Sequence, residues 1–193
     1  MRIITGAARG ARLKTLPGED TRPTAERVKE AMFSAVQFEL GDRRVLELFG
    51  GCGQLSLEAL SRGAESATIV DSSPAACAVI RENAVKTKLA EKCRVICSGW
   101  REFVKGMAGR TEYSMLILDP PYKSGAAEDV INSVCAAGLL SDDAVIIAET
   151  DADGVPVPPD GWASRAYRYG KTYVSIMRRA SQGNADRDTQ EKE

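Results

Sequence analysis

The apolar run Met115-Leu116-Ile117-Leu118 ends in Asp119-Pro120-Pro121-Tyr122: an acid, two prolines and an aromatic ring at the exit of a strand. Prolines have no amide hydrogen, so the pair stiffens the turn and leaves its carbonyls free to accept. A carboxylate and a carbonyl held side by side accept both hydrogens of one amino group. The exocyclic amine of a nucleic-acid base is a poor nucleophile, because its lone pair is delocalised into the ring. Two such acceptors favour a more pyramidal nitrogen and disperse the positive charge that develops as it attacks an electrophile. Tyr122 adds a face on which an extruded or single-stranded base can stack. Asp119, Pro120, Pro121 and Tyr122 are therefore the candidate catalytic platform. The plainer alternative is a turn whose tyrosine packs on the sheet.

A second constellation lies earlier in the chain. Glu47-Leu48-Phe49-Gly50-Gly51-Cys52-Gly53 sits between an apolar strand and a helix, where missing side chains let a ligand approach backbone amides. Asp71, 18 residues beyond Gly53, ends the next strand, where a carboxylate can accept hydrogen bonds from both hydroxyls of a ribose. Together they indicate an adenosine-containing ligand held by Glu47, Phe49, Gly50, Gly51, Gly53, Asp71 and Ser72. A dinucleotide fingerprint wants a third glycine where this chain has Ser56, which disfavours NAD. An acid at the position of Glu47 suits S-adenosylmethionine, whose methionine ammonium it can receive. Helix-packing glycines and a solvated aspartate would account for the same residues structurally.

The elements that must position these groups follow from hydrophobic periodicity. Strands are predicted at Val45–Leu48, Ala67–Val70, Arg94–Cys97, Met115–Leu118 and Ala144–Ala148. Helices are predicted at Leu55–Leu60, Pro74–Lys86, Trp100–Met107 and Glu128–Ala137. Strands apolar on both faces and alternating with helices make a doubly wound α/β sheet, in which both constellations open onto one crevice. Ahead of it, Arg2–Gly6 and Leu13–Leu16 read as a small hairpin. A helix capped by Thr24 runs to about Leu40, where Gly41 ends it. Behind it, a loop over Asp151–Asp160 leads to strands at Ala163–Tyr169 and Thr172–Met177. The expected division is 1–40 as an appendage, 41–179 as the catalytic domain and 180–193 as a disordered tail.

Composition excludes whole reaction classes. The 193 residues contain no histidine, so imidazole metal ligands and histidine-based triads are ruled out, and no metal is expected. Five cysteines without paired Cys-x-x-Cys spacing point to a reducing cytosol rather than a disulfide framework. The N-terminus lacks the apolar core of a signal peptide, and no run nears the roughly 18 apolar residues that span a bilayer, so a soluble cytoplasmic protein without membrane contact is expected. The 26 basic and 27 acidic residues nearly balance, yet Arg2, Arg9, Arg12 and Lys14 meet no acid in the first sixteen residues, and Arg22, Arg27 and Lys29 follow. This basic end suits either nucleic-acid phosphates or a solvated surface.

With these motifs in place, residues 1–178 resemble the RsmD-type 16S rRNA guanine-N2 methyltransferases of bacteria. The likeness runs through Arg2-Ile3-Ile4-Thr5-Gly6, Arg9-Gly10-Ala11-Arg12-Leu13-Lys14 and Thr21-Arg22-Pro23-Thr24-Ala25-Glu26-Arg27-Val28-Lys29-Glu30-Ala31-Met32-Phe33. It continues through Leu57-Glu58-Ala59-Leu60-Ser61-Arg62-Gly63-Ala64, Asp119–Tyr122 and Arg168-Tyr169-Gly170-Lys171. The resemblance implies a class I S-adenosylmethionine-dependent methyltransferase, Rossmann-like, with a seven-stranded mostly parallel sheet whose last strand is antiparallel. It implies a monomer acting on 16S rRNA in assembled or partly assembled small ribosomal subunits. Thr24 would join the cofactor site, and Arg9, Arg12, Lys14, Arg22 and Arg27 would hold RNA. The chain departs from the family at Glu47, usually Asp; at Gly50-Gly51-Cys52-Gly53, usually Ala-Gly-Ser-Gly; and at Ser98-Gly99-Trp100, where relatives contact adenine through Gly-Asp or Asn-Ala. Gly99 and Trp100 are placed in the cofactor site on that basis, Trp100 either stacking on the adenine or packing in the core. An N6-adenine DNA methyltransferase, a catalytically silent RNA-binding protein and, more distantly, a nicotinamide enzyme are the alternatives.

Overall fold

The computed structural model describes residues 1–16, 23–110, 113–120, 126–151 and 154–180. Seven strands form one sheet: β1 (Arg44–Leu48), β2 (Ser66–Asp71), β3 (Cys93–Cys97), β4 (Tyr113–Leu118), β5 (Leu140–Thr150), β6 (Trp162–Tyr169) and β7 (Thr172–Arg179). Their order is β3-β2-β1-β4-β5-β7-β6. All pairs from β3 to β5 are parallel, and β7 runs antiparallel between β5 and β6. The chain winds outward from β1 in one direction and from β4 in the other, so a crevice opens at the carboxyl ends of these two strands.

Helices α1 (Pro23–Ala35), α2 (Gln54–Ser61) and α3 (Pro74–Lys86) cover one face of the sheet, and α4 (Trp100–Met107) and α5 (Ala126–Ala136) cover the other. The period of two along each strand explains how both faces are buried. Val45, Ile69, Met115, Ile117, Ile147 and Ile176 meet the first helix layer. Leu46, Leu48, Val70, Leu116, Leu118, Ile146 and Met177 meet the second. Each fully buried Leu or Ile contributes about 1.5–3 kcal/mol, so the sheet's centre, where every residue of β4 is buried, anchors the crevice rigidly.

The N-terminal segment forms a hairpin shorter than expected: one antiparallel bridge joins Arg2 and Arg12, with Ile3 N donating to Ala11 O at 3.0 Å and Leu13 N to Met1 O at 2.9 Å. The amides that would extend it go to α2 instead: Ile4 and Thr5 donate to the Glu58 carboxylate at 2.7 and 3.0 Å, Ala7 to the Ser61 carbonyl at 2.8 Å, and Ala8 to Ser61 Oγ at 2.9 Å. Ile3 and Leu13 join the same core cluster as α1, α2 and α3.

Four boundaries also differ. Helix α1 begins at Pro23, whose missing N–H costs nothing there, so Thr24 lies inside the first turn rather than capping it. It ends at Ala35, and a short 3-10 turn over Gln37–Glu39 carries the chain on to Leu40, pinned where Glu39 pairs with Arg178 of β7. Strand β5 starts at Leu140 through a register shift against β4, and β7 extends to Arg179. No helix is long and apolar enough to cross a membrane among the described residues.

Candidate active site at the crevice between β1 and β4

Phe49, Gly51 and Gly53 take φ values of +66°, +53° and +76°, which fold the chain tightly between β1 and α2. A non-glycine residue there stores about 1–3 kcal/mol of strain, so the surroundings must hold Phe49 in place. They do so by packing its ring against the second core cluster and by hydrogen bonds from Gly50 N to Val70 O at 3.0 Å and Gly53 N to Gly50 O at 2.7 Å. A Cβ at Gly50 would overlap Cγ2 of Ile69, and one at Gly53 would come within 3.1 Å of Ile80 Cγ2. Gly50 and Gly53 thus let the loop pack closely onto β2 and α3.

Asp71 is clamped at the end of β2. Gly51 N donates to one carboxylate oxygen at 2.9 Å and Ser73 N to the other at 2.8 Å. The carboxylate is thus fixed at the loop's edge, and each oxygen has lone-pair capacity for a further donor. Ser72 is exposed beside it.

Glu47 is 2% exposed and accepts a hydrogen bond from Ser56 N, in the first turn of α2, at 2.9 Å. Burial pushes its carboxyl up to about 8; the Ser56 N–H pulls the other way, and the Asp119 and Asp71 carboxylates push it further up. Glu47 therefore feels both other carboxylates, and a cation bound near it would favour its ionised form.

Asp119 stands at the exit of β4. Leu118 pairs with Leu48 as the last rung of the parallel β1–β4 ladder, so Asp119 and the glycine loop leave the sheet at the same end, from neighbouring strands. Asp119 is half-buried and Pro120 buried. Pro121, Tyr122 and Arg22 lie outside the described residues, as does the tail from residue 181 on, and Thr24 is described only in its backbone. Gly99 precedes α4, where a Cβ would collide with the Glu102 carboxylate. Trp100 is half-buried against the second core cluster, with the Arg101 guanidinium 4.2 Å from its ring centroid.

The basic residues of the N-terminal region separate into different environments. Arg9, Arg12 and Arg27 are exposed. Lys14 pairs with Glu82 at 2.7 Å on the surface. Arg9 lies on the turn bonded to Ser61, the last residue of α2, so it sits toward the end of the sheet opposite the crevice. Lys29 is buried: its Nζ donates to Arg2 O at 2.6 Å and lies 3.5 Å from Glu58, and desolvation lowers its pKa.

Two positioning groups escaped sequence reading. Glu58, fully buried, collects Ile4, Thr5, Lys29 and Arg62, tying the N-terminal segment, α1 and α2 together. Asn83, also buried, exchanges hydrogen bonds with the backbone of Lys14 at 2.8 and 2.9 Å and donates to Cys52 O at 2.9 Å, bracing the glycine loop from behind. A charged residue inside the apolar run Leu55–Leu60 was the available signal for Glu58.

Burial pushes the Cys77 and Cys93 thiols up to about 11, so neither is a thiolate nucleophile at neutral pH. No group of three or more histidine, cysteine or acidic side chains could hold a metal among the described residues.

Comparison with known proteins adds sequence evidence to this geometry. The family model described as conserved hypothetical protein 95 matches residues 1–178. The chain is 32% identical over 190 residues to ribosomal RNA small subunit methyltransferase D of Escherichia coli (strain K12), covering 97% of this chain and 94% of that one. It is 33% identical over 183 residues to the putative rRNA methyltransferase YlbH of Bacillus subtilis (strain 168), covering 93% and 99%. Among solved structures, putative methyltransferase yhhF from Escherichia coli superposes with a TM-score of 0.82 at 33% identity, over 94% of this chain and 99% of that one.

Proposed function

Because the chain belongs to the RsmD family, described as conserved hypothetical protein 95, we propose that it transfers a methyl group from S-adenosylmethionine to the exocyclic N2 of a guanine in 16S rRNA. The observation that carries this reading is the juxtaposition of Asp119-Pro120 with the glycine loop and the clamped Asp71 at one crevice. The whole-length likeness to a named rRNA methyltransferase supports the substrate class.

The residues present fit the cofactor. A carboxylate held rigid by two backbone amides suits a vicinal diol, and the buried Glu47 among acidic neighbours suits a ligand carrying ammonium and sulfonium charges. Asp71 would hold the ribose, and Glu47, with the loop at Phe49–Gly53, the methionine end, joined by Ser72, Gly99 and Trp100 around the base and by Thr24. S-adenosylmethionine supplies an electrophilic methyl group on a sulfonium.

The remaining work belongs to the protein. The Asp119 carboxylate and the Pro120 carbonyl accept the two amine hydrogens and fix the lone pair toward the donor, while Tyr122 stacks on the base, helped by Pro121 stiffening the turn. Alignment of this kind supplies several kcal/mol without a general base, which agrees with a chain that has no histidine. Arg12, Lys14, Arg22 and Arg27 would contribute phosphate contacts, with Arg9 farther from the crevice. The protein would act as a soluble, cytoplasmic monomer on assembled or partly assembled small subunits.

The test is incorporation of labelled methyl from S-adenosylmethionine into small ribosomal subunits lacking the modification. Incorporation by the wild-type chain that drops at least a hundredfold in Asp119→Ala is expected. Equal incorporation by both proteins would remove Asp119 from the chemistry, and none by either would leave a silent RNA-binding homologue.

A further inference from the structure

Between Gly161 and Arg179 the chain carries five basic residues (Arg165, Arg168, Lys171, Arg178 and Arg179), three of its five tyrosines (Tyr167, Tyr169 and Tyr173) and no acid. This segment is the β6–β7 hairpin, and topology gives its turn a specific place. Thr150, at the carboxyl end of β5, pairs with Tyr173, and Arg168 pairs with Tyr173 from the other side. The turn Tyr169-Gly170-Lys171 therefore rises at the same end of the sheet as Asp119, two to three strand spacings from β4, roughly 10–15 Å. It lies beyond β4 on the side away from Asp71 and the glycine loop, where a base approaching Asp119 must bring its own strand.

The side chains suit that strand. Arg178 is committed to Glu39. Arg165, Arg168 and Lys171 are exposed and make no ion pair among the described residues. Arg168 is fixed by its Nε–H donating to Gly170 O at 3.0 Å and by its guanidinium lying 5.9 Å from the Tyr173 centroid; Arg165 stands 5.1 Å from that of Tyr167. The Arg168 guanidinium braced on the half-buried Tyr173 ring, with Lys171 at the tip of the turn, brings positive charge and an aromatic ring together on one face of the hairpin, while Arg165 and Tyr167 lie on the other. Backbone-tracking sites for single-stranded nucleic acid are built from those two components.

We propose that the β6–β7 turn is an RNA-docking surface. Arg168 and Lys171 bind phosphates of the unpaired nucleotides flanking the target base, and Tyr173 provides the aromatic ring beside them. This rests on the RNA substrate proposed above and extends the RNA contact to a part of the chain outside the N-terminal basic region.

The test is binding of a labelled single-stranded RNA oligonucleotide over a range of salt concentrations. It compares the wild-type chain with R168A/K171A and with K86A/K92A, an equal loss of exposed charge on α3 and ahead of β3. R168A/K171A should bind about tenfold more weakly. Its salt slope should fall by about 1.4, at about 0.7 per lost single-strand phosphate contact, while K86A/K92A matches wild type. Equal affinity and slope for wild type and R168A/K171A, equal weakening in both variants, or no binding by the wild-type chain would overturn the proposal. Methylation of small subunits by the same preparations separates the two readings. Active wild type with unchanged RNA binding in R168A/K171A sinks the docking surface alone; inactive wild type with selectively weakened binding in R168A/K171A sinks the enzymatic reading alone.

Discussion

Replacing Glu47 by glutamine tests the electrostatics of the crevice without disturbing its shape. The side chain is 2% exposed, meets Ser56 N at 2.9 Å, and has Asp119 and Asp71 as acidic neighbours. Its carboxyl is raised from 4.5 to about 8, chiefly by burial. The folded protein therefore holds one more proton than the unfolded chain between these values. Stability from this group is fully present below about pH 4.5 and is lost as pH rises through 8, at up to about 1.4 kcal/mol per unit and several kcal/mol across the window. Glutamine keeps an acceptor for Ser56 N and carries no charge at any pH. Urea unfolding at pH 5, 7 and 9 should show E47Q close to wild type at pH 5 and progressively more stable by pH 9. A stability difference that stays constant over the three pH values would refute the reasoning, because it would mean that Glu47 ionises in the fold as easily as in the unfolded chain.

At pH 9, where the Glu47 carboxyl is ionised, the same substitution should weaken S-adenosylmethionine binding by about 10–100-fold in calorimetry, the loss of one charge-assisted contact of about 1.5–3 kcal/mol; unchanged affinity would remove Glu47 from the cofactor site. Asp71→Ala, which deletes the acceptor fixed by Gly51 and Ser73, should cost a similar factor in cofactor affinity, and an unaltered dissociation constant would contradict the ribose assignment. Glu58→Ala strands Lys29 and Arg62 and two backbone amides, so unfolding should become easier by about 3–5 kcal/mol; a loss below 1 kcal/mol would show that the network is not structural. Asn83→Ala removes the brace between Lys14 and Cys52 and should cost about 2–3 kcal/mol, read by denaturation.

The sheet was legible because its signal is local. Met115–Leu118 is apolar on both faces and Val45–Leu48 is so except at Glu47, as a central parallel strand requires, and Asp71 and Asp119 declare themselves as acids closing such runs. What escaped reading depends on partners far away in sequence. Lys29 looked like part of a solvated basic end, and only the fold brings Glu58 and the Arg2 carbonyl to it. Asn83 reads as an ordinary helix residue until Lys14 and Cys52 are laid against it. The N-terminal segment pairs as a hairpin only between Met1–Ile3 and Ala11–Leu13, because the amides of Ile4, Thr5 and Ala8 donate to side chains of α2 instead. At Gly50 the need for a residue without a side chain was legible, but its packing against Ile69 of β2 was not, because that contact is made only in the fold.

The central claim is the identity of the methylated atom, and nucleoside analysis tests it most directly. Small ribosomal subunits lacking the modification, treated with the wild-type chain and S-adenosylmethionine and digested to nucleosides, should yield N2-methylguanosine by mass spectrometry, absent when Asp119→Ala replaces the enzyme. N6-methyladenosine in its place, or no methylated nucleoside at all, would contradict the account.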